Sequence, residues 1–214
     1  MTTFLEVFTT AYSWLKLKTQ DTQYKADMSY RSNQELTRMG FKYLGEDVLI
    51  SRNCRIYDAS CIELGNKSRV DDYVILSGNL RIGSNCHITP MCLLAGGREG
   101  ITLEDFVTLA YGVKVFSQSD DYSGETLTNS TIPRAYKNEK FASVYIGKHV
   151  IVGTNAVVFP GVSLGDGTAI GASSVVLDST EPWHIYAGTP ARPIKKRSKR
   201  LLSLEERYLD LENE

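Results

Sequence analysis

The chain of 214 residues is long enough for one well-buried domain with short extensions at its ends, and too short for two full domains. Its 24 lysines and arginines nearly balance 25 acidic residues, and this formal net charge of −1 gives no indication of nucleic acid or a membrane surface as a partner. No apolar run reaches the roughly 18 residues of a membrane helix, so we expect no transmembrane segment.

Cysteine usage and the N-terminal residues bear on the cellular compartment. The four cysteines contain no C-x-x-C pair and no zinc-like spacing with histidine, which predicts free thiols and no metal site; they are Cys54, Cys61, Cys86 and Cys92. The stretch MTTFLEVFTTAYSWLKL has no basic start and no small-residue cleavage site. We therefore expect a soluble, cytoplasmic protein.

The first predicted element is a short helical cap within residues 1–42, which lack the repeat found in the rest of the chain. Ser32 and Glu35 have the spacing of a capping box, and Leu36 and Met39 follow as apolar positions on one helical face. Such a helix is suited to closing one end of a repetitive fold.

A six-residue repeat governs residues 43–194. Aliphatic side chains recur at every sixth position without a miss, as in Ile146, Val152, Val158, Leu164, Ile170 and Val176. Neither the helical period of 3.6 nor the strand period of 2 explains this spacing, whereas a parallel β-helix does. The fold class predicted is an all-β solenoid, with short strands that meet at tight corners.

The larger period predicts three sides for each coil. Leu64 and Ile82 are 18 positions apart, which is three hexads, and Ile146 and Leu164 repeat that spacing. Leu103 and Ile146 are 43 positions apart, so about 25 residues exceed one coil. We assign this excess to a loop insertion at about residues 117–143.

The chain ends in a basic tail and a predicted helix over residues 195–214. Six cations occur in nine residues, and they are Arg192, Lys195, Lys196, Arg197, Lys199 and Arg200. The following segment SKRLLSLEERYLDL has an amphipathic pattern that predicts a packing helix.

The hexads, the segment from Ala187 to Arg192 (AGTPAR) and the basic tail together resemble the hexapeptide-repeat acyltransferases over roughly residues 40–200. The chain is most similar to sugar O-acetyltransferases of the galactoside or maltose type and to N-acetyltransferases of nucleotide-linked amino sugars. This resemblance implies a left-handed parallel β-helix, a homotrimer, acetyl-CoA (coenzyme A) as co-substrate, and active sites between neighbouring prisms.

Three residues are candidates for the proton transfer that acetylation requires. His87 lies at a corner of its coil, and the unperturbed pKa of histidine suits a general base. Asp120 and Asp121 lie in the insertion, where many members of the family carry a histidine that this sequence lacks. Either His87 is the base and an aspartate orients it or binds the sugar, or the acceptor is an amine that needs little base assistance.

Acceptor contacts are expected from two parts of the chain. Arg69 lies 18 positions before His87 and should stack beside it, while Asp71 and Asp72 follow and have carboxylates suited to sugar hydroxyls. In the insertion, Ser119 and Tyr122 are the further candidates for acceptor binding.

The cofactor candidates lie in the C-terminal third. The basic tail should attract the phosphates of coenzyme A, and the family resemblance favours Arg192 and Lys195 for these contacts. Small residues should expose amides to the pantetheine arm, and Pro190 with Ala191 should pack on the adenine; the small residues are Gly153, Gly171 and Ala172.

Three hypotheses of function follow. The first is an acetyl-CoA-dependent transferase that acetylates a hydroxyl of a sugar or glycan in bacterial surface-polysaccharide synthesis. The second is an N-acetyltransferase for a nucleotide-linked amino sugar, which the missing loop histidine favours. The third is a non-enzymatic β-helix scaffold, against which the basic tail and the polar insertion argue.

Overall fold

The computed structural model describes residues 29–212, in which short parallel strands stack into a three-sided solenoid. The first sheet contains β1 (Tyr43–Leu44), β4 (Ile62–Leu64), β7 (Leu80–Ile82), β10 (Ile101–Leu103), β15 (Val144–Ile146) and β18 (Ser163–Leu164). The second contains β2 (Leu49–Ile50), β5 (Arg69–Val70), β8 (His87–Ile88), β11 (Thr108–Leu109), β16 (Ile151–Val152), β19 (Ala169–Ile170), β21 (His184–Ala187) and β22 (Arg192–Lys196). The third contains β3 (Arg55–Ile56), β6 (Ile75–Ser77), β9 (Leu93–Ala95), β12 (Lys114–Phe116), β17 (Val157–Val158) and β20 (Val175–Val176).

The strand registers follow the predicted periods, so the β-solenoid fold is confirmed. Leu64 pairs with Ile82 across the 18-residue coil, and Ile146 pairs with both Leu103 and Leu164 in the first sheet. The aliphatic residues at the sixth positions are buried in one continuous core. Because neighbouring residues of a strand point to opposite faces, the residue before each of them points outward.

One corner of the solenoid is built from residues with positive φ, which turn the chain sharply between the first and second sheets. From Lys67 onward, each donates its amide hydrogen to a carbonyl of the coil before, as Lys67 does to Glu46 at 2.8 Å. At Gly167 a side chain would collide with the Trp183 ring, since an added Cβ lies 2.5 Å from it. The column of positive-φ residues comprises Asp47, Lys67, Asn85, Phe106, His149, Gly167 and Trp183.

Helix α1 (Asn33–Arg38) lies at the N-terminal end of the described chain, with Leu36 buried in the core. The predicted capping box is present: the Glu35 amide donates to Ser32 Oγ, and the Ser32 amide donates to the Glu35 carboxylate. The remainder of the predicted cap, residues 1–28, lies outside the described residues.

Helix α2 (Leu201–Glu212) packs along the positive-φ corner. The His149 ring stacks on Phe106 with centroids 5.1 Å apart, and its Nε2 lies 2.7 Å from the Glu205 carboxylate of α2. Tyr208 meets the same Phe106 ring edge-on at 6.2 Å. His149 is therefore a buried packing residue that holds the helix to the solenoid.

The insertion leaves the corner between the third and first sheets after β12. Its two ends pair as an antiparallel ribbon, β13 (Gln118–Ser119) with β14 (Lys140–Phe141), and a 3-10 turn at Arg134–Tyr136 lies between them. A second 3-10 turn, Ala59–Cys61, connects β3 to β4. The ribbon fixes the root of the loop, so the loop side chains near residues 118–122 and 139 are held against the prism.

Candidate functional site

A buried carboxylate organises a polar cluster on the second sheet. Asp71 is 1% exposed and accepts hydrogen bonds from Arg69 Nε at 2.6 Å and Nη2 at 3.2 Å, and from the Tyr30 hydroxyl at 3.2 Å. His87 Nε2 lies 2.8 Å from Oδ2, the oxygen that also accepts from Arg69 Nη2. Burial raises the pKa of Asp71, but the hydrogen bonds from His87 and Arg69 outweigh it and hold that pKa below the usual value.

This cluster gives His87 the geometry of an oriented base. Arg69 pairs with His87 in the parallel ladder, as the 18-residue spacing predicted. Since Asp71 is ionised at neutral pH, Nε2 of His87 carries the hydrogen and Nδ1 becomes the acceptor nitrogen. The His87 side chain is 38% exposed, so a proton can reach the ring from solvent or from a ligand.

Two expectations about these aspartates need correction. Within the chain Asp71, not Asp120 or Asp121, is the carboxylate that orients His87. Burial and its four hydrogen-bonding contacts also leave Asp71 without an oxygen for a sugar hydroxyl. Asp72 instead accepts from the Ser51 hydroxyl and keeps a half-buried side chain at the neighbouring corner.

The loop residues meet the prism in a cavity of about 330 Å³ at the corner between the third and first sheets. Ser119, Asp120 and Tyr122 line it from the loop, together with Glu139. The prism contributes an apolar wall consisting of Ala95, Phe116, Phe159 and Pro160. The cavity thus combines aromatic surfaces with two carboxylates, and three of its residues were predicted as site residues.

The two adjacent aspartates of the loop have different surroundings. Asp121 accepts hydrogen bonds from the Ser123 amide at 2.9 Å and from the Thr126 hydroxyl at 2.8 Å, contacts that lower its pKa. These bonds hold the turn of the loop itself. Among the described residues the Asp120 carboxylate accepts one longer bond, from the Asn129 amide at 3.3 Å, and it lines the cavity.

Glu139 is a residue that the sequence did not indicate. Its carboxylate lies 3.1 Å from Lys137 Nζ, and the side chains are 22% and 8% exposed. The pair is therefore shielded by the loop, and Lys137 fixes the position of Glu139 at the cavity edge. No motif marks Glu139, because its position depends on the fold of a loop that lacks the repeat.

The predicted cofactor residues lie on the C-terminal coils, but two of the backbone amides expected to bind the cofactor are already hydrogen-bonded. The amide hydrogens of Gly153 and Gly171 donate to the carbonyls of Ile170 and Tyr186, both at 2.8 Å, so they are not free for a pantetheine arm. Glycine is needed there for close stacking, since a Cβ on Gly153 would lie 2.6 Å from the Ala172 amide nitrogen. Ala172 itself is exposed at that corner.

The AGTPAR segment contains the turn between the last two strands of the second sheet, β21 and β22, and the basic tail begins in β22. Ala191 is 8% exposed and packs in the core, so it has no surface for an adenine, whereas Pro190 is exposed. Arg192 and Lys195 lie exposed on β22, and Arg192 forms a surface pair with Asp178 at 3.2 Å. These two cations remain accessible to phosphates.

Not all of the tail cations are available. Arg197 donates to the carbonyl oxygens of His149 at 2.8 Å and Gly167 at 3.0 Å, and burial lowers its pKa. Lys199 lies over the Trp183 ring at 5.5 Å. Both residues hold the tail to the positive-φ corner, so fewer than the predicted six cations are available to bind phosphates.

The His87 cluster and the loop cavity lie on different parts of one chain, although His87 is in strand β8 and not at the corner that the hexad count predicted. His87 is on the second sheet, whereas the cavity opens between the third and first sheets. Among residues 29–212 no group of three or more His, Cys, Asp or Glu side chains is placed to hold a metal ion. In the same range no helix has the length and hydropathy to cross a bilayer.

Known proteins similar to this chain are acyltransferases. A dTDP-4-amino-4,6-dideoxy-D-glucose acyltransferase from Escherichia coli is 38% identical over 83% of this chain and 94% of its own. A putative lipopolysaccharide biosynthesis O-acetyl transferase, WbbJ, from Escherichia coli strain K12 is 29% identical over 73% and 88%. No protein-family model matches the chain.

Solved structures similar to this chain are also those of an acyltransferase. AntD, an N-acyltransferase from Bacillus cereus, in complex with dTDP and 3-hydroxybutyryl-CoA, superimposes with a TM-score of 0.86 at 42% identity and covers 87% of this chain and 100% of its own. A variant of AntD in complex with dTDP-4-amino-4,6-dideoxyglucose and coenzyme A gives a TM-score of 0.85 at 43% identity, over 86% and 98%. Together with the hexads and the solenoid they define, these similarities identify the chain as a member of the hexapeptide-repeat acyltransferase family.

Proposed function

We propose that the enzyme transfers an acyl group from acyl-CoA to the amine of a dTDP-linked 4-amino-4,6-dideoxy sugar. The observation that carries the proposal is the likeness over nearly the whole fold to AntD, whose structures contain such a sugar and coenzyme A. The 38% identity to the E. coli acyltransferase supports the same acceptor. Of the two acceptor groups that the sequence left open, the amine fits these relatives better than the hydroxyl.

The loop cavity suits an amino sugar. A sugar amine is protonated before reaction, and the carboxylates of Asp120 and Glu139 offer the negative charge that binds an ammonium group. The aromatic wall of Phe116 and Phe159 provides an apolar surface for the ring of the sugar or base. Ser119 and Tyr122 have hydroxyls at the same cavity for positioning the acceptor.

The chemistry needs one proton acceptor. After losing a proton to a carboxylate, the neutral amine attacks the thioester carbonyl carbon and forms the new C–N bond. The tetrahedral intermediate then collapses: the C–S bond breaks, the nitrogen gives up its second proton, and the coenzyme A thiolate takes up that proton and leaves as the thiol. We assign the acceptor role to Asp120, since its carboxylate lines the cavity and has only one weak internal bond.

The donor binds along the C-terminal coils in this proposal. Arg192 and Lys195 are exposed on the last strand, where they attract the phosphates of coenzyme A. Pro190 is exposed beside them and offers the adenine an apolar contact.

We further propose a homotrimer, with the third sheet at the interface. Its outward positions are apolar on four strands, and apolar side chains are exposed at the adjoining corner. Lys114 of β12 lies between Leu93 and Val157 and interrupts the apolar positions, yet monomeric proteins rarely expose this many apolar side chains on one face. The outward residues are Ile75, Leu93, Val157 and Val175, and the corner residues are Tyr73, Met91 and Tyr111.

The setting we propose is the bacterial cytoplasm, where the acylated sugar supplies polysaccharide synthesis. The cysteines of the described chain, Cys54, Cys61, Cys86 and Cys92, are all free thiols, as is usual in a reducing compartment. WbbJ, whose name assigns it to lipopolysaccharide biosynthesis, supports the pathway class.

A paired-acceptor assay tests the function. Release of coenzyme A thiol from acetyl-CoA and from 3-hydroxybutyryl-CoA is followed with dTDP-4-amino-4,6-dideoxyglucose and with its 4-hydroxy counterpart, and products are weighed by mass spectrometry. We expect an amide product from the amino sugar and none from the hydroxyl sugar. Absence of thiol release with the amino sugar and either donor would refute the proposal.

A second candidate is O-acyl transfer, which the His87–Asp71 pair favours. A hydroxyl needs a base when it attacks a thioester, and a histidine oriented by a buried carboxylate is suited to that role. In this case the proposed trimer must bring His87 of one subunit to the cavity of another. An ester product that His87→Ala abolishes, with the amide product absent, would favour this candidate.

A further inference from the structure

The acceptor proposed above carries two opposite charges, a sugar amine and a diphosphate, and the charges of the insertion are separated in the same way. Three acidic residues, Asp120, Asp121 and Glu125, lie in its first half, and Glu139 is the acidic residue of its second half. Basic residues lie in its second half, at Arg134, Lys137 and Lys140. The carboxylates at the cavity can bind the amine of the proposed acceptor, but they repel its diphosphate, which must be bound by other residues.

Two arginines share one aromatic ring at the root of the loop. The guanidinium carbon of Arg98 lies 4.5 Å from the Phe141 ring centroid, and that of Arg134 lies 5.6 Å from it. Both side chains are exposed. A guanidinium stacked on a ring keeps its N–H groups at the edge, so it can still donate two hydrogen bonds to a phosphate.

Lys140 extends this basic group to the cavity. Ser119, which lines the cavity, is paired with Lys140 across the ribbon, and Gln118, its neighbour, is paired with Phe141. Lys140 Nζ also lies 3.9 Å from the Cβ position of Gly161, the residue after Pro160 of the cavity wall. The cations therefore border the same loop root from which the cavity residues project.

The charges of this group are only partly neutralised. Arg98 Nε donates to Glu99 at 2.7 Å, an exposed pair. Across residues 29–212, neither Arg134 nor Lys140 forms an ion pair. Arg134 and Lys140 are thus exposed cations without a carboxylate partner in this range, which suits them to a multiply charged anion.

We propose that Arg98, Arg134 and Lys140, supported by Phe141, form the subsite for the diphosphate of the nucleotide-linked acceptor. This inference rests on the proposed function, since it names how that acceptor is held. The subsite is separate from the basic tail on β22, to which we assign the phosphates of coenzyme A. The sugar then spans from the cations to the carboxylates, with its amine at Asp120 and Glu139.

Direct binding tests the subsite without turnover. Isothermal titration of dTDP, inorganic pyrophosphate, thymidine and coenzyme A is compared for the wild type, Arg134→Gln and Lys140→Gln. Loss of one charge-assisted contact should weaken dTDP and pyrophosphate about tenfold in each variant. Thymidine and coenzyme A should bind within twofold of the wild type, and the dTDP affinity should fall as salt rises.

Two controls keep the result specific. Arg207→Gln removes an exposed cation of α2 and should leave dTDP affinity unchanged. Arg134→Lys keeps the charge and should recover part of the binding, while circular dichroism verifies that each variant is folded. A merely structural role for Arg134 would not distinguish dTDP from thymidine.

Three outcomes would overturn the subsite: wild-type dTDP affinity in both variants, weakened coenzyme A binding in place of dTDP, or no binding of dTDP and pyrophosphate by the wild-type protein. Failure of the proposed function gives a different pattern. If the amino sugar is not acylated but Arg134→Gln selectively weakens dTDP binding, the diphosphate subsite is supported and the proposed reaction is refuted.

Discussion

Replacing Asp71 by asparagine tests whether the buried carboxylate holds the second sheet together. The variant keeps the shape of the side chain but removes the charge that accepts from Arg69 and lies against His87. Arg69 is only 17% exposed, so the variant removes a charged partner of its guanidinium in a poorly hydrated site. Breaking such a pair costs about 3 kcal/mol at the low end of measured values. For a chain of this size that corresponds to a fall in Tm of about 6–12 °C.

The assay is urea unfolding at fixed protomer concentration, from pH 3 to pH 7, with Glu63→Gln as control. Glu63 forms a surface pair with Lys42, worth about 0–1 kcal/mol. The folded-state pKa of Asp71 is lowered, so its stabilisation is present above the unfolded pKa of about 3.9 and is lost as pH falls through the folded value. The two unfolding curves should therefore converge at low pH. A variant within 0.5 kcal/mol of the wild type at pH 7 would refute this reasoning.

Further predictions concern catalysis and packing. Asp120→Asn should lower kcat for the amino-sugar acceptor about a hundredfold, because it removes the proton acceptor. His87→Ala should leave that kcat within threefold of the wild type. Steady-state kinetics measures both variants, and a large loss in His87→Ala with little loss in Asp120→Asn would contradict the assignment. Gly167→Ala should cost about 3 kcal/mol, since Gly167 has φ +65° and an added Cβ lies 2.5 Å from the Trp183 ring. Gly124→Ala, at φ +82° with no atom within 4 Å, should cost only about 1 kcal/mol in the same urea unfolding experiment, and equal losses would contradict the steric explanation.

The solenoid could be predicted from the repeat, because in this fold the period of the sequence determines which residues pair between neighbouring strands. An 18-residue coil places residue i beside residue i+18, so the neighbourhood of Arg69 and His87 follows from counting. Counting does not say where a corner side chain points. Asp71 was therefore predicted as a sugar ligand, although it turns inward to a histidine and an arginine on the same sheet.

The structure of the insertion could be predicted only in part, because this segment lacks the repeat. Its position and its polar character were visible as a gap in the repeat, and Asp120 and Tyr122 were predicted from it and do line a cavity. Glu139 was missed, since only the pairing of Ser119 with Lys140 brings the far end of the loop back to the near end. No local signal encodes that antiparallel ribbon.

The same ribbon gives a physical reason for having the loop at all. A solenoid wall exposes one side chain per hexad at fixed spacing, which suits stacking but cannot surround a ligand that has charges of both signs. Chain that leaves one corner and returns to it can place acidic residues from its first half and basic residues from its second half around one point. In this protein the pairing of Lys140 with Ser119 brings a cation from the second half of the loop beside Ser119, which lines the cavity together with Asp120.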